Sequence, residues 1–205
     1  MITTATEPTR HAAEGDNEGE LQRLPMPISE AFVGEILRPY RLHARYLKSA
    51  TITQFCPDVG GPDSNTSIVT GVGTFSIPES CYIDDTGHFN AVEFNICFNQ
   101  LAYVVFGKCI EAGLIHPIWS ENSSPLSVGE YKDDQLPSMM IVRIDKMRFL
   151  KQMRSDGFAG ELKVNKMTQL GSAWFFFTSI SFYDNEGIKA QGSVVLAYSR
   201  DFKPN

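Results

Sequence analysis

Apolar positions recur along this chain in two periods, and the changes between them predict the elements. Residues 1–24 carry Glu, Asp, Thr and Ala with almost no large apolar side chain, which predicts a mobile acidic tail, taken here as residues 1–27. From Ile28 the pattern changes. Phe32, Val33, Ile36 and Leu37 fall on one face of a short helix that Ser29 caps and Pro39 and Tyr40 close. Tyr46–Phe55, with Thr51, Ile52 and Thr53, predicts a strand. Pro57–Asn65 is a loop by composition. Thr66–Ile77 predicts a second strand, in which Gly71 and Gly73 mark a bulge.

From Phe89 to Ala112 the chain is rich in Phe, Val, Ile, Leu and Ala and has no Pro. It is apolar nearly all round, which predicts a helix enclosed by other structure. Trp119–Asp134 is mostly polar and is expected to be loop. Met139–Leu150, Gly160–Leu170, Ser172–Asp184 and Ile188–Ser199 each predict a strand, and Asp184-Asn185-Glu186-Gly187 a hairpin turn between the last two. A sheet of this extent buries its apolar face by curling round something, and the buried helix is the available filling. The expectation is one α+β domain over residues 28–205 in the hot-dog arrangement. A helix laid flat on an open sheet is the alternative.

Composition removes whole classes of function. The 205 residues are 42% hydrophobic and 11% aromatic, enough for one core, with a formal charge of −6 that disfavours nucleic-acid backbones. No apolar run approaches the roughly 18–20 residues of a membrane span, and Met1–Glu20 lacks the features of a secretory signal, so a cytoplasmic protein is expected. Cys56, Cys81, Cys97 and Cys109 show no metal-site spacing and are read as free thiols. No cofactor is implied. Motifs for a serine nucleophile elbow, a zinc protease or a phosphate-binding loop are absent.

What remains is a polar cluster around the start of the buried helix: Tyr82, Asp84, Asp85, His88, Asn90, Glu93, Asn95, Asn99 and Gln100. Glu93 and Gln100 are seven residues apart and share a face to within roughly 20°. Asn95 and Asn99 share another. Asn90 and Asn99 point about 180° apart on an ideal helix, so they serve one pocket only if Asn90 is the cap or the pocket lies between subunits. Glu93 is either a general acid or base, or a carboxylate paired with an Arg or set against the helix N-terminus. His88 is either a catalyst or a loop histidine bonded to backbone.

The stretch Tyr82-Ile83-x-x-Thr86-Gly87-His88-Phe89-Asn90-Ala91-Val92-Glu93, then Cys97-Phe98-Asn99-Gln100-Leu101-Ala102-Tyr103, resembles the FcoT-like family of hot-dog proteins. Leu37-x-Pro39-Tyr40, Leu136-x-Ser138-Met139 and Arg148-Phe149 agree with it. The resemblance implies either long-chain acyl-CoA hydrolysis or addition of glycine to the β-carbon of a 2-enoyl group on an acyl carrier protein. In the second case the N-carboxymethyl-3-amino acid is released by hydrolysis, in secondary-metabolite biosynthesis. The resemblance carries over Tyr40, Tyr82, Asn90 and Asn99 as site positions, with His88 and Glu93 in the same motif. The expected catalytic residues are Glu93, His88 and Asn90, with Tyr40, Tyr82, Asn99 and Ser138 binding substrate. Arg143, Lys146 and Arg148, with Lys151 and Arg154 beyond them, are candidates for docking an acidic carrier protein. Gly87-His88-Phe89 is also similar to the motif of hot-dog hydroxyacyl dehydratases, but Ala102 stands where their acid follows, which disfavours dehydration. A homodimer or a higher homo-oligomer is expected.

Overall fold

The computed structural model describes residues 24–57, 66–84, 88–115 and 125–200. The expected tail lies outside these residues up to position 23. Its last positions do not: Met26 and Pro27 belong to a strand, β1 (Met26–Ile28), which pairs antiparallel with β2. Most of the Pro57–Asn65 loop, together with Asp85, Thr86 and Gly87 of the motif, also lies outside.

Ser29 caps α1 (Glu30–Ile36) as expected, its Oγ accepting from Phe32 N at 3.3 Å, and Phe32, Val33 and Ile36 are buried. A single 3-10 turn (Leu42–Ala44) leads to β2 (Leu47–Phe55) and β3 (Val69–Phe75). Then come α2 (Ala91–Glu111), α3 (Val128–Asp134), β4 (Met139–Phe149), β5 (Phe158–Leu170), β6 (Ala173–Asp184) and β7 (Gly187–Tyr198). The seven strands form one antiparallel sheet in the order β1-β2-β3-β5-β6-β7-β4.

That sheet wraps α2, whose Phe94, Cys97, Phe98, Leu101, Val104 and Val105 are wholly buried. Each large side chain so buried contributes about 1.5–3 kcal/mol. No helix among the described residues is long and apolar enough to cross a membrane. The α+β hot-dog arrangement is thus the fold.

Two expectations need correction. The stretch read as loop up to Asp134 contains α3, started by a complete capping box between Ser127 and Glu130. The bulge assigned to β3 is not there; β2 is irregular instead, its register slipping between Leu47 and Ser49 and again between Ile52 and Gln54. Gly71 and Gly73 serve another purpose. A Cβ at Gly71 would collide with Val105 Cγ2, and one at Gly73 would stand 2.9 Å from Leu101 Cδ1, so bare backbone lets α2 lie close on the sheet. On the far side α1 and α3 converge on Gly107 of α2, through Ile36, Phe32 and Tyr131.

Candidate active site

Asn90 stands at the N-cap of α2 in extended backbone, its Oδ1 accepting from Val92 N at 2.8 Å. The cap position takes it out of the helical wheel, which resolves the conflict of direction with Asn99. Its Nδ2 donates to Tyr82 Oη at 2.9 Å, so one amide ties the helix start to the preceding segment. Tyr82 is half exposed, and because its oxygen accepts from Asn90, its own proton remains available to a ligand.

Asn90 and Glu93 have the spacing of a capping box, but Glu93 does not turn back to the cap. It points inward, 2% exposed, and Oε1 accepts from Ser80 Oγ at 3.0 Å. Its other oxygen, Oε2, is buried with no partner among the described residues, and no Lys, Arg or His pairs with it there. Among the described residues Glu93 is thus not ion-paired. Its place in the first turn of α2, where negative charge is favoured, stands. Burial first, then the charge of Glu93, holds the Cys97 thiol well above its ordinary range, so Cys97 is no thiolate nucleophile.

His88 is exposed, and its Nδ1 lies 2.8 Å from Gln152 Nε2 rather than on backbone. When the Gln152 amide nitrogen donates to Nδ1, Nε2 is the ring nitrogen that can present a proton to a ligand. Phe89 N donates to Met153 O at 3.3 Å, which lays residues 149–153 along this end of the helix. Asp84 is exposed.

The remaining candidates fall elsewhere. Asn95 back-bonds to Ala91 O at 2.9 Å, while its Oδ1 is buried and unpartnered among the described residues. Asn99 is half buried and makes no hydrogen bond among the described residues. Tyr40 packs against Tyr103 with ring centroids 6.5 Å apart, and burial raises its phenol above the ordinary value, with Tyr103 and Cys97 adding to the shift. Ser138, buried, donates its N–H to Asp134 O and accepts from Ser199 N. No hydrogen bond or ring contact joins Tyr40, Asn99 or Ser138 to Glu93 among the described residues.

The basic candidates divide too. Arg143 and Lys146 line a hollow of about 380 Å³ with Phe177, Ser193 and Val195, on the sheet face turned away from α2. Arg143 is there paired with Asp145 at 2.6 Å. Arg148 adjoins Phe149, whose ring lies 6.0 Å from that of Phe94, and so marks the helix N-terminal end.

Two further residues near this site had no sequence signal. Ser80 reaches Glu93 only through the fold. Tyr46, read as a strand start, is wholly buried with its hydroxyl unpartnered among the described residues.

Fold and site together define a hot-dog protein with a buried, half-satisfied carboxylate on the first turn of its central helix. Residues 35–198 match the FcoT-like thioesterase domain, and the chain belongs to that family. It is 32% identical over 174 residues to a (2E)-enoyl-ACP glycyltransferase of Streptomyces coeruleorubidus, covering 82% of this chain and 96% of that one. It is 33% identical over 178 residues to a Mycobacterium bovis protein of the same name, covering 84% and 87%. Among solved structures it is similar to zebrafish thioesterase superfamily member 2, at 9% identity and a TM-score of 0.44, covering 83% and 95%.

Proposed function

We propose that this protein adds glycine to the β-carbon of a 2-enoyl group held as a thioester on an acyl carrier protein, and releases the N-carboxymethyl-3-amino acid by hydrolysis. The activity for which the relatives are named supports this reading across most of the chain. The observation that carries it is Glu93, with one oxygen held by Ser80 and the other buried and open.

Glycine's ammonium gives a proton to Glu93 Oε2, which frees the nitrogen lone pair to attack the β-carbon. The C=C π electrons move to the thioester oxygen as enolate. That charge is met by the His88 Nε2–H, the Tyr82 hydroxyl that Asn90 orients, and the second Nδ2 proton of Asn90. The proton on Glu93 then goes to the α-carbon. Water next attacks the thioester carbonyl, the C–S bond breaks, and the carrier thiol leaves with a proton. Tyr40, Asn99 and Ser138, farther along α2, line the path of the acyl group.

Arg148 and Lys151, flanking the His88–Gln152 contact, dock the acidic carrier protein; Arg143 and Lys146 extend that surface over the outer face. The active unit is a homodimer. β4 is an edge strand with exposed Met140, Val142, Ile144 and Phe149, apolar surface that a second copy covers.

Plain thioester hydrolysis is the second reading, favoured by the description of the family. Mass spectrometry of the products from crotonyl-acyl carrier protein, with and without glycine, separates the two. A glycine-dependent mass gain in a released acid is expected. Crotonate alone, indifferent to glycine, assigns the protein to hydrolysis.

A further inference from the structure

Tyr46 is the one wholly buried tyrosine whose hydroxyl has no partner among the described residues. Its backbone is fixed, because Gln100 Oε1 accepts from Tyr46 N and Leu47 N at 2.9 Å each and Gln100 Nε2 donates to Ala44 O at 2.6 Å. Gln100 shares a helix face with Glu93, which lies about 10 Å nearer the N-terminus of α2. The Tyr46 hydroxyl lies beside the Cys81 thiol, and Cys81 directly follows Ser80, the residue that holds Glu93 Oε1. Two buried polar atoms are thus brought to the same Ser80–Cys81 segment: Tyr46 Oη, with only the weakly hydrogen-bonding Cys81 thiol beside it, and Glu93 Oε2, with no partner among the described residues. Folded chains rarely leave such groups unpaired, since each forfeits its hydration.

We propose that Tyr46 Oη and Glu93 Oε2 together form the subsite for the amino-acid co-substrate, with Glu93 accepting from its ammonium and Tyr46 donating to its carboxylate. The inference rests on the glycine-adding reading above and adds a residue to it. Its chemistry is matched to a zwitterion: an anionic acceptor at one end and a neutral donor at the other. Burial first, then Cys81 and Glu93, holds the phenol above its ordinary value, so the hydroxyl keeps the proton that it donates.

The test is Tyr46→Phe, with full-length protein, crotonyl-acyl carrier protein and glycine. The glycine KM is expected to rise about tenfold or more, the scale of one hydrogen bond to a charged group, with the carrier-substrate KM unchanged. The thermal midpoint should hold or rise, because the only protein group beside the hydroxyl is the Cys81 thiol, a weak hydrogen-bonding partner. A glycine KM close to that of the wild type overturns the assignment and makes an ordered water the occupant. So does a marked fall in the midpoint, since it would give the hydroxyl a structural partner. Calorimetric titration with glycine alone keeps this inference apart from the reading beneath it. If the wild type binds glycine and Tyr46→Phe does not, the subsite stands even where no adduct forms. Equal binding overturns the subsite alone; no binding to the wild type overturns the preformed subsite, and the product test with and without glycine then decides the reading beneath it.

Discussion

Gln100 Oε1 accepts the backbone N–H of Tyr46 at 2.9 Å, so a side chain in the middle of α2 fixes the point where the chain enters β2. The same side chain satisfies Leu47 N and Ala44 O, and all of these groups are buried. Gln100→Leu fills similar volume but strands three backbone groups, at a cost of about 3 kcal/mol or more. Urea denaturation should show this as a lower midpoint with an unchanged slope.

Glu93→Gln keeps an acceptor for Ser80 and removes the base. Glycine-dependent product formation is expected to fall by about a hundredfold or more. Stability should hold or rise, because a buried unpartnered carboxylate oxygen is replaced by a neutral amide. Activity retained near the wild-type level would remove Glu93 from the proton transfer.

Asn90 combines two roles that one substitution separates. Asn90→Asp preserves the oxygen that caps Val92 N and adds a charge favoured at a helix N-terminus, but it loses the donor to Tyr82. Turnover should drop while the melting temperature is kept. Asn90→Ala loses the cap as well, and its stability should fall by about 0.5–2 kcal/mol.

The close seating of α2 on β3 is tested at Gly71. Gly71→Ala drives a methyl into Val105 and should cost about 1–3 kcal/mol by overpacking. Val105→Ala in the same chain should return part of that loss, giving a non-additive pair in thermal unfolding.

Buried phenols set an alkaline limit. Burial, with the bond to Asp134 after it, pushes Tyr198 up from 10.0 to about 12, and burial raises Tyr131 and Tyr103 as well. A group raised on folding contributes stability that is complete below its unfolded value and lost as pH climbs through the folded one. Guanidinium midpoints should therefore fall as pH rises from 10 towards 12. Tyr131→Phe should lower the neutral-pH midpoint, because its bond to Tyr103 O is lost, and flatten the alkaline slope.

The sequence pattern located β2 to β7 and α2, because long runs with a single period leave little freedom of assignment. Met139–Leu150 against an observed Met139–Phe149 is typical. The helix α3 was missed although its Ser127-x-x-Glu130 signature was present, since a polar seven-residue helix has little apolar period to declare it. Asn90, Tyr82 and Glu93 were legible because they sit within one contiguous motif. Ser80 and Tyr46 were not. Their positions depend on how a loop and a strand start fold against α2, which neither residue's neighbours encode. Arg143 read as equivalent to Arg148, because β4 slips register at Ile141–Arg143 and again at Asp145–Arg148, and such slips are invisible in a run of β-formers.

β3 and β5 lie side by side in the sheet, Val69 opposite Val164, although α2, α3 and β4 separate them in the chain. The sheet is thus two parts, β1-β2-β3 and β5-β6-β7-β4, joined at its longest-range seam. Gly73 faces Gly160 there, so that register offers no cross-strand side-chain pair to hold the seam before the helix is in place. Closing it is the costly loop closure of the folding route. During synthesis the N-terminal strands and α2 emerge first, and the apolar faces of the helix stay uncovered until the last strands arrive. The residues that make the interior of the finished protein are therefore its sticky surface at birth, and the speed of that closure governs how much chain escapes aggregation.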